Sequence, residues 1–161
     1  MKVSFEVLSP QSKIWIYTSD RFLTENAVDL IQPNLEIFLE NWSSHGSPIF
    51  NYGNLYYNKF LVLFADETRS HASGCSIDKS VHFVEDLAKL TGVDFFVRLE
   101  IQYLKDDQVM TVAGTKELKQ LISEDKIDEN TLIFDHTISN KEQFESQWIK
   151  PIKNSWLKRF L

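Results

Sequence analysis

Cysteine is almost missing from this chain: its 161 residues hold one, Cys75. A lone thiol excludes an intrachain disulfide framework and suits a reducing compartment. Long apolar runs are missing too. No stretch approaches the ~20 apolar residues that a membrane-spanning helix requires. The opening Met1-Lys2-Val3-Ser4-Phe5-Glu6-Val7 has no continuous apolar segment of the kind a secretory signal carries. A cytoplasmic protein with no membrane span is therefore expected. Positive charge is scarce, 17 Lys and Arg against 23 Asp and Glu for a net −6, which argues against a nucleic-acid partner or an anionic membrane surface. Neither paired C-x-x-C nor H-E-x-x-H occurs, so no metal and no cofactor is expected.

What is present is a core. Hydrophobic residues make up 43% of the chain and aromatic residues 13%, well above disordered sequences and enough for one domain across residues 1–161. Val3, Phe5 and Val7 alternate with polar neighbours and predict a short strand ending near Pro10. Ile14-Trp15-Ile16-Tyr17 predicts a second. Thr24 is placed to N-cap a helix bearing Ala27, Leu30, Ile31, Leu35, Phe38 and Trp42, with a kink or restart at Pro33. Residues 43–48 read as a loop. The aromatic stretch 49–64 reads as a hairpin reversing at Asn58-Lys59, its second strand buried on both faces.

A second helix is predicted over 77–91, closed by Gly92, with Ile77, Val81, Val84, Leu87 and Ala88 inward. A further hairpin, 95–103 with 109–112, turns at Asp106-Asp107. A helix over 115–124 and a strand over 131–134 follow. Phe144, Trp148, Ile152, Trp156 and Phe160 recur every four residues, too wide a spacing for one straight helix, so Pro151 is read as starting a new one. Strands and helices mix without strict alternation. The expected class is α+β: a mixed or antiparallel sheet with helices packed on it, a ferredoxin-like core being one arrangement.

Chemistry concentrates in residues 66–83, where an apolar strand gives way to a small-residue loop and then a helix. Such a joint presents free amides and the positive end of a helix dipole. Short connections would bring Trp42, His45, Asp66, Glu67, His71, Cys75 and Asp78 to one end of the sheet. Cys75, at the helix start, reads either as a dipole-stabilised nucleophile or as a small buried side chain. His71 or His45 would serve it as base. His82 would not, because seven helical residues hold it roughly 10 Å away. In a second reading Ser73, Gly74, Ser76 and Ile77 cradle a small anionic ligand through their amides, with Lys79 adding charge and Asp78, Trp42 and Asp66 bordering the site. The plain alternative is that Ser76 caps the helix. In the tail, Lys150, Lys153, Lys158 and Arg159 accompany Trp148 and Trp156 with no acidic residue. That composition fits either packing with solvated lysines or contact with nucleic acid, an acidic partner or a membrane surface.

The segment Ala72-Ser73-Gly74-Cys75-Ser76-Ile77-Asp78-Lys79-Ser80-Val81-His82-Phe83 resembles a family of small bacterial proteins commonly labelled "ABC transporter ATPase". Trp15-Ile16-Tyr17, Trp42-x-x-His45, Asp66-Glu67, Thr131-Leu132-Ile133-Phe134-Asp135 and Trp148-Ile149-Lys150-Pro151 resemble it as well. The resemblance carries no catalytic assignment. No G-x-x-x-x-G-K-[ST] loop accompanies the label, so ATP hydrolysis by a transporter mechanism is not expected. Leu118, Leu121, Ile122, Ile127, Thr131, Leu132 and Ile133 are also spaced in a way similar to the latter half of GYF-type peptide-binding modules, without their aromatic element.

Two functional expectations result. One is a small anionic-ligand or thiol-dependent site around Cys75. The other is a non-enzymatic interaction module that uses the aromatic and basic C-terminal segment.

Overall fold

The computed structural model describes residues 1–44, 46–68 and 74–161, with the backbone alone for 74–76. The chain forms two compact units, Met1–Val97 with Ser139–Glu142, and Arg98–Ile138 with Gln143–Leu161. The class is α+β, and its named strands pair antiparallel.

In the first unit the order is β1 (Lys13–Thr18), α1 (Glu25–Asn41), β2 (Ser43–Ser44), β3 (Ser47–Pro48), β4 (Phe50–Tyr56), β5 (Phe60–Asp66) and α2 (Gly74–Thr91). The main sheet runs β1-β5-β4. This is the strand–helix–strand–strand–helix portion of the ferredoxin-like arrangement. In place of a fourth strand there is a single parallel bridge, Thr18 to Phe96.

The hairpin reverses one residue earlier than the sequence suggests, through Tyr57 and Asn58, both at positive φ. Two successive left-handed residues match the twist of the flanking strands, and Asn accepts that conformation readily. Mid-strand Gly53 has a different role. A Cβ there would lie 2.8 Å from Leu63 Cδ2 and 3.2 Å from Leu39 Cδ2, so the missing side chain lets α1 come down onto the sheet.

Thr24 caps α1 as expected, accepting from the Ala27 amide at 3.1 Å, a contact typically worth about 1 kcal/mol. The helix continues through Pro33 as one element rather than restarting. Its buried stripe is Ala27, Ile31, Leu35 and Leu39. Leu30, expected inward, is exposed. In α2 the inward positions are Ser80, Val84 and Leu87, with Ile77, Val81 and Ala88 only half-buried. Gly92 closes α2 at φ +71, its amide bonded to the Ala88 carbonyl.

The predicted N-terminal strand is absent. Phe5–Val7 is a 3-10 turn, because the Phe5 ring leaves the alternation to pack edge-on against Tyr52 at 5.5 Å and Phe64 at 5.3 Å. Lys141, buried, sits over the same ring at 4.5 Å and donates to the Leu8 carbonyl.

The second unit holds β6 (Ile101–Lys105), β7 (Gln108–Val112), α3 (Thr115–Ser123), β8 (Leu132–Phe134), the body of α4 (Lys141–Gln147) and β9 (Ile149–Pro151), in sheet order β7-β6-β8-β9. The Asp106-Asp107 turn forms as read, both residues at positive φ. Residues 95–100 are not strand, apart from the bridge at Phe96. Pro151 ends β9 instead of opening an α-helix, and two short 3-10 segments, Ile152–Asn154 and Trp156–Phe160, finish the chain. The four-residue repeat thus splits: Trp148 and Ile152 are buried, Phe144 and Phe160 half-buried, and Trp156 is 45% exposed. Among the described residues no helix is long and apolar enough to cross a membrane.

Gly53→Ala forces a methyl against two fully buried leucines. We expect it to destabilise the first unit by about 1–3 kcal/mol, and Gly53→Val by more, read from urea unfolding curves.

Candidate functional site

Half of the residues singled out at the strand–loop–helix joint lie wholly or partly outside the described residues: His45, His71 and Ser73 entirely, while Gly74, Cys75 and Ser76 are described in their backbone alone. Those that are described separate into two places. Asp66 is buried and turned into its own loop, with Oδ1 accepting from the Thr68 amide at 2.9 Å and hydroxyl at 2.6 Å, and Oδ2 accepting from the Ser9 amide at 3.3 Å. Its neighbour Glu67 pairs with Lys13 at 3.1 Å. Trp42 and Lys79, by contrast, line one groove. Asp78 is exposed on α2, and Ile77 half-buried beside it.

The groove lies between α1 and α2, with a volume of about 670 Å³. Lys79 Nζ approaches the Ser43 carbonyl at 3.4 Å, and one turn further along α2 Phe83 stacks on Phe38 of α1, centroids 4.2 Å apart and planes within 3°. The two helices therefore run antiparallel. Phe38, Phe83, Trp42 and Leu87 make the floor. Trp42 is held from below, edge-on to Trp15 at 5.7 Å and tilted against Phe38 at 5.2 Å. Such ring contacts add about 0.5–1.5 kcal/mol each beyond burial, so the floor is rigid.

The rim sets two exposed aliphatic side chains among polar ones. Ile37 is 64% exposed and Leu90 48%, and both line the groove with Asn34, Asn41, His82 and Asp86. Leu30, 43% exposed, lies two turns before Ile37 on α1, outside the groove lining. From Lys79 to Leu90 the groove follows α2 for roughly 16 Å, three helical turns.

The surrounding charge is one-sided. Within α1 there are four acidic and no basic residues, and within α2 three acidic against two lysines, so these two helices carry −5 of the chain's −6. Glu36 pairs with Lys2, and Glu85 lies 3.4 Å from His82 Nδ1. Asp29, Asp78 and Asp86 have no ion pair among the described residues.

Sequence reasoning reached Trp42 and Lys79 but missed Ile37, Phe83, Asp86 and Leu90 as site residues. The signal was available. Leu30 and Ile37 are seven residues apart and lie off the 27-31-35-39 stripe, which leaves α1 with a second apolar line.

The second unit gathers polar groups in a different way. The His136 ring is fixed by two bonds: Trp148 Nε1–H donates to Nδ1 at 3.2 Å, and Nε2 meets Gln102 Oε1 at 2.9 Å. Because the indole only donates, Nδ1 must be unprotonated and Nε2 carries the hydrogen. Burial pushes the His136 pKa down to about 4, against the opposing pull of Asp135. Burial by itself would raise the Asp135 carboxyl, but the Lys150 ammonium at 2.7 Å and the Thr137 hydroxyl and amide outweigh it and hold the group below its ordinary value. These bonds close within the unit, as expected for structural groups. No group of three or more His, Cys, Asp or Glu among the described residues is placed to hold a metal ion.

No protein-family model, curated protein or solved structure matches this chain.

The depressed His136 value sets a pH dependence. The unfolded chain takes up a proton near pH 6.5 and the folded one only near 4, so stability falls as pH drops through that window, by up to about 3 kcal/mol. Urea unfolding at stepped pH should show this slope, and His136→Phe should flatten it between pH 6.5 and 4 while lowering the plateau.

Proposed function

We propose that this chain is a non-catalytic interaction protein whose α1–α2 groove receives an amphipathic helix of another protein. The observation that carries this reading is the pair of exposed shoulders: Ile37 on α1 and Leu90 on α2 border an aromatic floor, and Leu30 stands exposed two turns before Ile37. A small ligand seated on the Phe38–Phe83 stack would leave those three side chains in water. A helix laid along the groove covers floor and rim together, anchoring through residues spaced i, i+3/i+4 and i+7. The groove's roughly 16 Å matches about eleven residues of such a helix. An aromatic floor with aliphatic shoulders is also the composition found at the centres of protein interfaces.

This reading moves the contact surface away from the C-terminal segment, where Trp148, Ile152 and Leu157 are core. It also leaves the thiol or anion chemistry of Cys75 without a described contact in its support.

Helical peptides selected from a displayed library against the whole chain test the reading. Their chemical-shift perturbations should map to α1 and α2. Ile37→Glu should weaken them by at least ~10-fold while changing stability by less than about 0.5 kcal/mol, since this side chain lies outside the core. Binders that map elsewhere, or that hold Ile37→Glu as tightly, would refute the assignment.

A further inference from the structure

The chemistry of the partner is written in the charge around the groove. We infer that the helix received there is basic: about three turns long, with its apolar stripe flanked by Lys or Arg. This rests on the docking reading above and narrows it to one partner class.

Asp86 lines the groove one turn from Leu90, and its carboxylate has no cationic partner among the described residues. Asp29 precedes the exposed Leu30 on the opposing helix, and it too is uncompensated. Glu40, exposed near the other end of α1, acts on the Met1 ammonium, and Asp78 and Glu85 lie on the outer face of α2, off the groove lining. Lys79, the lysine that lines the groove, turns its ammonium onto the Ser43 carbonyl and hydroxyl at 3.4 and 3.5 Å. Lys89 shares the outer face of α2 with Asp78 and Glu85 and, like them, does not line the groove. An incoming helix with acidic flanks would therefore meet the like charge of Asp86 and of two net-negative helices, which weakens binding. One with basic flanks supplies the counter-charges that the fold omits and is drawn toward the groove from a distance. The apolar stripe holds the helix in place, and the charges select which helix enters.

The test uses the full chain and two synthetic fluorescein-labelled peptides. They share leucines at i, i+4 and i+7, and carry either lysine or glutamate at the flanking positions. Fluorescence anisotropy should show the lysine peptide binding and the glutamate peptide failing. Binding should weaken several-fold between low salt and about 0.5 M. The double variant Asp29→Lys with Asp86→Lys should lose about 10-fold for the lysine peptide and gain affinity for the glutamate peptide. Ile37→Glu should remove binding of both, with an unchanged thermal melt as the control for folding.

Equal binding of the two peptides, still abolished by Ile37→Glu, would overturn the basic-partner inference and leave the groove reading standing. Binding of neither peptide, or binding indifferent to Ile37→Glu, would overturn both. A concentration-dependent dimer in sedimentation velocity that Ile37→Glu dissolves would assign the groove to a second copy of this chain and overturn the inference as well.

Discussion

The β5 strand has no face to give to water. All seven of its residues are buried, and because side chains alternate across a strand, both sides of the sheet need cover at its centre. On one side Leu61, Leu63 and Ala65 enter the cluster that holds Ile31, Leu35, Leu39, Val84 and Leu87. On the other, Phe64 meets the Phe5 ring and Tyr52. The Gly53 position, the capped entry to α1 and the 3-10 turn at the N-terminus all serve this requirement.

The groove follows from the same geometry. Two helices at the usual spacing of about 8–10 Å are needed to cover three strands, and two packed cylinders always leave a valley on their outer side. In most proteins polar side chains line such a valley. Here Phe38 and Phe83 meet at its bottom and Ile37 and Leu90 stand along its edges. The residues that close the inner core also furnish the floor of the outer surface. A site built this way is preorganised by the fold, which lowers the ordering cost of binding.

The two units treat ionisable groups in opposite ways. His136 and Asp135 have partners within their own unit, and their protonation states are held there by Trp148, Gln102, Thr137 and Lys150. On α1 and α2 the carboxylates of Asp29, Asp78 and Asp86 face outward with no such partners among the described residues. Closed polar networks specify a fold, whereas charges left unpaired on the surface stay open to other contacts.

Local patterns in the chain were enough for most elements: the apolar run Ile14-Trp15-Ile16-Tyr17, the Thr24 cap, the Gly92 stop and the Asp106-Asp107 turn each act over a few residues. Local rules failed where a distant partner decided the outcome. Phe5 left its strand for rings at Tyr52 and Phe64, and Pro151 became the end of a strand because Leu132 was there to pair with it. Of the candidate site, Trp42 and Lys79 were legible as chemistry, but their meeting in one groove was not. By itself the sequence determined the α+β class, the acidic helices and the aromatic content, all of which depend on composition and near neighbours. Only the tertiary structure decided that Phe38 meets Phe83, which leaves Ile37 and Leu90 outside the core. That contact joins residues forty-five positions apart, a distance over which helical periodicity carries no information about which faces meet.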